Sequence, residues 1–265
     1  MIKDDVRDEL RNRELEFNNW SPNQKIKFCF GGDGTLLNNI DNIYFSSFCG
    51  VYAESHINLI PIRDYGKCVD HKKLFNKIRT LNNKEMLSYV QLHRRYVPFL
   101  KYDFVSDTNE HRDFKYAASE FVIKSANMTQ CLRINVSVNN VKIYKNVICD
   151  GVIVATDCIG SHGYFKSITR TIFKNGMGFA FINPTYGLTN CILNKDDIIR
   201  IDFERTARVV IVSDTKQSEE IFTTQNSIVI KCLDSKIPIV GYNDFMCYQC
   251  RQNRNSTVAI NDQYI

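Results

Sequence analysis

At 265 residues and 44% hydrophobic, the chain can bury a real core in one large or two modest domains, which excludes a disordered protein. Lys+Arg 34 against Asp+Glu 29 gives +5, a mild excess that suits an anionic substrate such as a nucleotide, while no basic run marks a nucleic-acid groove. No apolar stretch approaches membrane-spanning length, Met1-Ile2-Lys3-Asp4-Asp5 is not a signal peptide, and the ten cysteines are scattered mostly inside apolar runs. The expectation is a cytoplasmic protein with reduced thiols and neither membrane nor nucleic acid as partner. Cys247 and Cys250 form one C-x-x-C with no second pair or suitable His pair nearby, and the five histidines show no metal spacing. No metal ligands are therefore expected.

Residues 3–17 alternate charge with Val6, Leu10 and Leu15, predicting an amphipathic first helix. Ile26–Phe30 reads as a buried strand. It breaks into Gly31-Gly32-Asp33-Gly34-Thr35, after which Leu36, Leu37, Ile40 and Ile43 recur at helical spacing and predict a helix to Phe48. Ile57–Ile62 is a second apolar strand, and residues 71–81 read as another helix. This alternation predicts a small, mostly parallel α/β unit. Beyond about residue 85 the runs shorten: Glu85–Leu92, Arg95–Phe104, Ala118–Lys124, Leu132–Val138, Lys142–Ile148 and Gly151–Ala155, parted by polar turns such as Asn139-Asn140. These predict antiparallel strands. One helix interrupts them from Ser161 to about Lys174. Strands resume at Ile198–Phe203, Ala207–Ser213, Glu220–Thr223, Ser227–Leu233 and Ile237–Val240. The expected fold class is an α/β N-terminal domain over residues 1–95 and an all-β, β-sandwich-like domain over 96–243. A C-terminal tail, 244–265, follows.

Strand, glycine turn and helix is a frequent context for phosphate: glycines admit a close ligand, and the N–H groups at a helix start attract anions. A loop built only to hold phosphate gains nothing from Asp33 at its centre. A site that must take a proton from a hydroxyl beside a phosphate does. The alternative is a tight turn with Asp33 as helix cap. The stretch is neither G-x-G-x-x-G nor G-x-x-x-x-G-K-[ST]. It resembles the Gly-Gly-Asp-Gly-Thr signature shared by NAD kinases, diacylglycerol kinases and sphingosine kinases. A second constellation, Cys149-Asp150-Gly151 entering an apolar strand to Thr156 and then Gly160-Ser161-His162-Gly163-Tyr164-Phe165-Lys166-Ser167, is similar to the NAD kinase branch. The match rests on Asp150, Gly151, Thr156, Gly160, Ser161, Tyr164 and Ser167. Glu120 of Ala118-Ser119-Glu120 matches that family's Asn-Glu, and Val212-Ser213-Asp214-Thr215-Lys216 stands where the family has an Asp-Gly-Gln-like turn. The chain departs at Ser119 (Asn in the family), Asp157 (Pro), His162 (Thr), Gly163 (Ala) and Thr169-Arg170 (Gly-Gly).

The resemblance implies an NAD kinase-like fold and ATP-dependent phosphorylation of the 2′-hydroxyl on the adenosine ribose of NAD, giving NADP. Asp33 would be the general base. Gly31, Gly32 and Gly34 would present N–H groups to phosphates, and Thr35 would help hold them. Ser119 and Glu120 would contact the adenosine part of NAD. Thr156, Ser161, Tyr164 and Ser167 would line the adenine pocket, and His162 would either stack on or hydrogen-bond a purine or stand solvated at the helix start. Asp150 would touch the nicotinamide ribose. Mg²⁺ would accompany ATP, the protein would form a homodimer or homotetramer, and the tail would return to the first domain. The departures keep a second class open, a weakly active or inactive NAD(P)- or nucleotide-binding protein on the same scaffold. A kinase of lipids or other small hydroxyl compounds is a third.

Overall fold

The computed structural model describes residues 4–45, 57–62, 76–106, 115–127, 129–157, 159–187, 190–205, 207–214, 219–222 and 226–241; at Asp33 and His162, among others, the backbone alone is described. The tail 244–265 and the start of the helix predicted over 71–81 lie outside these residues; 76–80 are helical. The described residues divide into two compact units, one of 4–44, 57–62, 76–96 and 236–241, the other of 45 and the described residues between 97 and 235.

In the first unit, helix α1 (Asp4–Trp20) buries Leu10 and Phe17, two turns apart on one face. The same helix covers the free edge of β1 (Ile26–Phe30). Glu14 accepts the Phe28 N–H at 2.7 Å, and Asn18 bonds both main-chain groups of Ile26 at 2.7 and 2.9 Å. An unpaired strand edge is thereby satisfied by side chains. Helix α2 (Asp33–Ile40) follows and continues into a π-helical turn, Asp41–Phe45. Strand β2 (Asn58–Ile62) pairs parallel with β1, Phe28 opposite Ile60, and Leu59 pairs with Ile239 of the last described strand, also parallel. Helix α3 (Asn83–His93) buries Met86, Tyr89 and Val90 against Leu10, Phe17, Phe28 and Ile60.

The second unit is almost wholly strands: β3 (Arg94–Ser106), β4 (Lys115–Ala117), β5 (Glu120–Ser125), β6 (Leu132–Val138), β7 (Val141–Cys149), β8 (Gly151–Thr156), β9 (Met177–Ile182), β10 (Cys191–Leu193), β11 (Ile198–Phe203), β12 (Arg208–Ser213), β13 (Glu219–Phe222) and β14 (Asn226–Val240). Among the described residues one short helix, α4 (Tyr164–Thr169), interrupts them. A six-stranded antiparallel sheet runs β10-β9-β8-β5-β12-β13. It faces a second layer that includes β7-β6-β11-β14, also antiparallel. Phe121, Ile123, Val152, Val154 and Phe179 of the first layer meet Ile134, Val136, Ile199, Ile201, Ile228 and Ile230 of the second. The alternate residues Val122, Ile153, Ala155, Ala180 and Ile182 pack on the opposite face against Phe165 of α4 and Phe173. The central strands are therefore covered on both faces, and β8 and β9 are buried at every position.

These are the expected classes, a helix-and-strand N-terminal part and a strand-rich C-terminal part. Several elements differ from the sequence reading. The segment Glu85–Leu92, read as a strand, is α3. A capping box explains it: Asn82 accepts the Glu85 N–H at 3.0 Å while Glu85 accepts the Asn82 N–H at 2.8 Å. Helix α4 is shorter than Ser161 to Lys174 and ends at Arg170, in the left-handed region at φ 59°. Strands β9 and β10 fall where the sequence predicts none, and the two last predicted strands are one, β14. The Asn139-Asn140 turn behaves as read: both residues have positive φ, 50° and 66°, joining β6 to β7 through a two-residue hairpin. No helix among the described residues is long and apolar enough to cross a membrane.

Candidate functional site

In the first unit the glycine turn closes β1 and opens α2. Gly31 sits at φ 147°, donates its N–H to the Ile62 carbonyl at 3.0 Å, and has Thr35 so close that a Cβ would lie 2.3 Å from its Oγ1. Only glycine fits there. Gly32 precedes α2 in extended conformation, and no side chain caps the helix. Among the described residues nothing would lie within 4 Å of a Cβ on Gly32. The N–H groups that start a helix have no partner within it and attract anions. Asp33 is the first helical residue, Gly34 is exposed and Thr35 half-buried. The Asp33 and His162 side chains fall outside what is described.

In the second unit a bend at Ala118-Ser119-Glu120 leads into β5, and three elements grip it. From the turn after β12, Asp214 accepts the N–H groups of Ala118 (2.7 Å), Ser119 (2.8 Å) and Glu120 (3.0 Å), and returns its own N–H to the Glu120 carbonyl at 3.1 Å. From the end of β8, the Thr156 hydroxyl donates to the Ala118 carbonyl at 2.9 Å and its N–H to the Ser119 carbonyl at 2.8 Å. From the 3₁₀ turn Gly160–His162, Gly160 approaches so closely that a Cβ would stand 2.1 Å from the Ser119 carbonyl oxygen. Gly160 also donates its N–H to the Thr156 hydroxyl at 3.3 Å. Gly163 borders the Glu120 carboxylate, its absent Cβ 3.8 Å from Oε2.

The electrostatics follow from this enclosure. Burial raises the Glu120 carboxyl above its ordinary value, against a hydrogen bond from the Ser119 hydroxyl that favours the anion. Asp214 keeps some exposed surface as a residue, yet its carboxylate is desolvated. That burial, opposed by the three N–H donors and reinforced by the charge of Glu120, pushes it up to about 7. Asp157 follows the end of β8. It lies within electrostatic reach of Lys195, whose pKa is raised chiefly by its hydrogen bond to Asp234 and to a smaller degree by Asp157.

Ser119, Glu120, Thr156, Gly160 and Gly163 come together in this way. Two predicted pocket hydroxyls are committed to the main chain: Ser161 is fully buried and donates to the Asp157 carbonyl at 2.6 Å, and Ser167 donates to the Tyr164 carbonyl at 2.7 Å. Tyr164 accepts a hydrogen bond from Lys124 at 3.0 Å, with the ammonium also 5.1 Å from the ring centre. Asp150 lies at the far end of β8 from Thr156, about 20 Å along an extended strand. Its carboxylate accepts from Asn183 at 2.9 Å, with the Cys131 thiol at 3.6 Å. Gly151 beside it is required because β5 passes too close, a Cβ there lying 2.3 Å from the Ile123 carbonyl oxygen. Sequence reasoning left Asp214, Lys124 and Asn183 out of the candidate site. Asp214 had a signal, an acid in a turn matching the family's Asp-Gly-Gln-like position; the other two had none.

No family model matches the chain, and no curated protein matches it. Solved structures do. Yeast NADH kinase complexed with NADH superposes with TM-score 0.62 at 17% identity, over 83% of this chain and 63% of that one. An NAD kinase from Archaeoglobus fulgidus in complex with ATP superposes with TM-score 0.54 at 19% identity, over 81% of this chain and 76% of that one. This chain therefore spans less than two thirds of the yeast structure's length. Across both units and despite low identity, the fold of this chain is that of the NAD kinases.

Proposed function

We propose that the protein is an NAD kinase, transferring the γ-phosphoryl group of ATP to the adenosine ribose 2′-hydroxyl of NAD. The observation that carries this reading is the glycine-framed start of α2, with Asp33 at its first position, on a chain with the NAD kinase fold. Asp33 takes the proton from the 2′-hydroxyl as the oxygen attacks. The N–H groups of Gly31, Gly32 and Gly34 and the Thr35 side chain hold phosphate oxygens beside it. ATP enters as its Mg²⁺ complex, whose metal neutralises charge on the phosphates. Ser119 and Glu120 bind the adenosine of NAD. Thr156 and Ser161 shape the adenine pocket through the backbone they brace, while Tyr164, Ser167 and His162 line it. Asp150, remote from Thr156 along β8, meets the nicotinamide ribose, within a homodimer or homotetramer.

One observation favours a second reading. Where an asparagine amide is usual, the Ser119 hydroxyl is spent on Glu120, so the site offers one donor fewer to an adenosine. A protein that binds NAD or NADP and transfers little or no phosphate would tolerate that loss. Purified protein with NAD, ATP and Mg²⁺ separates the two. Formation of NADP supports the kinase; calorimetric binding of NAD or NADP without ATP consumption supports the binder. Phosphorylation of a lipid alcohol with NAD ignored would remove both.

A further inference from the structure

We infer that Asp214 is the positioning residue of the acceptor site: its carboxylate sets the bend 118–120 so that Ser119 and Glu120 face the nucleotide. The inference rests on the proposed role of those two residues toward adenosine.

The geometry is more than a strand connection needs. Asp214 stands at φ 49°, where glycine or asparagine would serve a turn with less strain. The chain places an acid there instead. It is desolvated and set near a second carboxylate, Glu120, both of which disfavour its charge. What the acid supplies is acceptor capacity. Three N–H groups from consecutive residues converge on its two oxygens, Ala118 on Oδ2 and both Ser119 and Glu120 on Oδ1. An amide has one oxygen and would turn its NH₂ toward one of those donors. The main-chain bond from Asp214 back to the Glu120 carbonyl closes the contact, so the Glu120 backbone is fixed on both sides. Thr156 and Gly160 hold the same bend from the opposite direction. With the bend clamped, the only freedom left to Glu120 is its own side chain, which Ser119 orients. Binding then loses less ordering entropy at these residues.

The test measures NAD and ATP dissociation constants by calorimetry above neutral pH, where the Asp214 carboxylate is ionised, for wild type and Asp214→Asn. Loss of a charge-assisted hydrogen bond at the bend is expected to weaken NAD binding by between about ten- and a hundredfold. ATP binding should stay within about twofold. A purely structural Asp214 would lower the melting temperature and leave the NAD dissociation constant of the folded fraction unchanged; that result overturns the inference. Should Asp214→Asn not fold, amide hydrogen exchange of wild type decides. The Ala118, Ser119 and Glu120 amides should exchange as slowly as the core of β5, and more slowly again with NAD bound. Fast exchange, or no change with NAD, overturns it. Wild type that binds no dinucleotide removes the proposed function itself, and the positioning role with it, a result distinct from wild type that binds and a variant that binds equally.

Discussion

Gly160→Ala is a sharp single change at the candidate site. The new methyl would stand 2.1 Å from the Ser119 carbonyl oxygen, 2.9 Å from its carbon and 3.1 Å from the Ala155 Cβ. Ordinary contact needs about 3.5 Å, so the 3₁₀ turn and the bend must part by more than about 1 Å. Overpacking of this kind costs about 1–3 kcal/mol. The same carbonyl accepts the Thr156 N–H at 2.8 Å, and disturbing that bond adds about 0.5–1.5 kcal/mol. A destabilisation of about 2–4 kcal/mol follows, which for a chain of this size lowers the melting temperature by roughly 5–15 °C. Gly32→Ala is the control: its backbone is extended and among the described residues no atom approaches the new methyl, so stability should hold within about 0.5 kcal/mol. Thermal unfolding followed by circular dichroism compares the two. A Gly160→Ala protein as stable as wild type, or a Gly32→Ala protein that loses as much, would refute the reasoning.

Gly31→Ala combines positive φ with a methyl 2.3 Å from Thr35 Oγ1, and should lose about 2 kcal/mol or more in denaturant unfolding; a neutral result would mean the turn is not held as described. Asn82→Ala removes the capping box of α3 and should cost about 1 kcal/mol, or roughly 2–4 °C in melting temperature. Because the folded-state pKa of Asp214 is raised to about 7, the native state holds a proton that the unfolded chain gives up near pH 4. Stability contributed by this group is therefore present at low pH and lost as pH rises toward 7. Glu120, also raised, acts in the same direction. The stability difference between wild type and Asp214→Asn should shrink between about pH 4 and pH 7 in urea titrations, and a difference that grew would contradict the sign.

The sequence disclosed what periodicity and turn chemistry encode. The strand Ile26–Phe30, the glycine turn and the helix after it were readable because apolar period changes across three glycines. Asn139-Asn140 was readable because few residues tolerate positive φ twice in succession. Met177–Ile182 was not, since a strand buried on both faces loses the alternation that marks strands, and Gly178 inside it leaves room for the rings of Phe165 and Phe173. Glu85–Leu92 misled because its hydrophobic pattern is short, whereas the Asn82 to Glu85 spacing carried the helix signal. At the candidate site, residue types were legible and their bonds were not. Thr156 and Ser161 look like ligand hydroxyls in the sequence, yet each donates to a backbone carbonyl. Asp214 serves residues almost a hundred positions earlier, a pairing that only antiparallel registry between β12 and β5 creates.

Asp33 is proposed to take the proton of the acceptor hydroxyl. A crystal structure with NAD bound tests it directly. The ribose 2′-oxygen of the adenosine should lie within hydrogen-bond distance of the Asp33 carboxylate, about 2.6–3.2 Å. An adenosine ribose held with its 2′-oxygen turned away from Asp33, and that carboxylate bonded only within its own turn, would contradict the account.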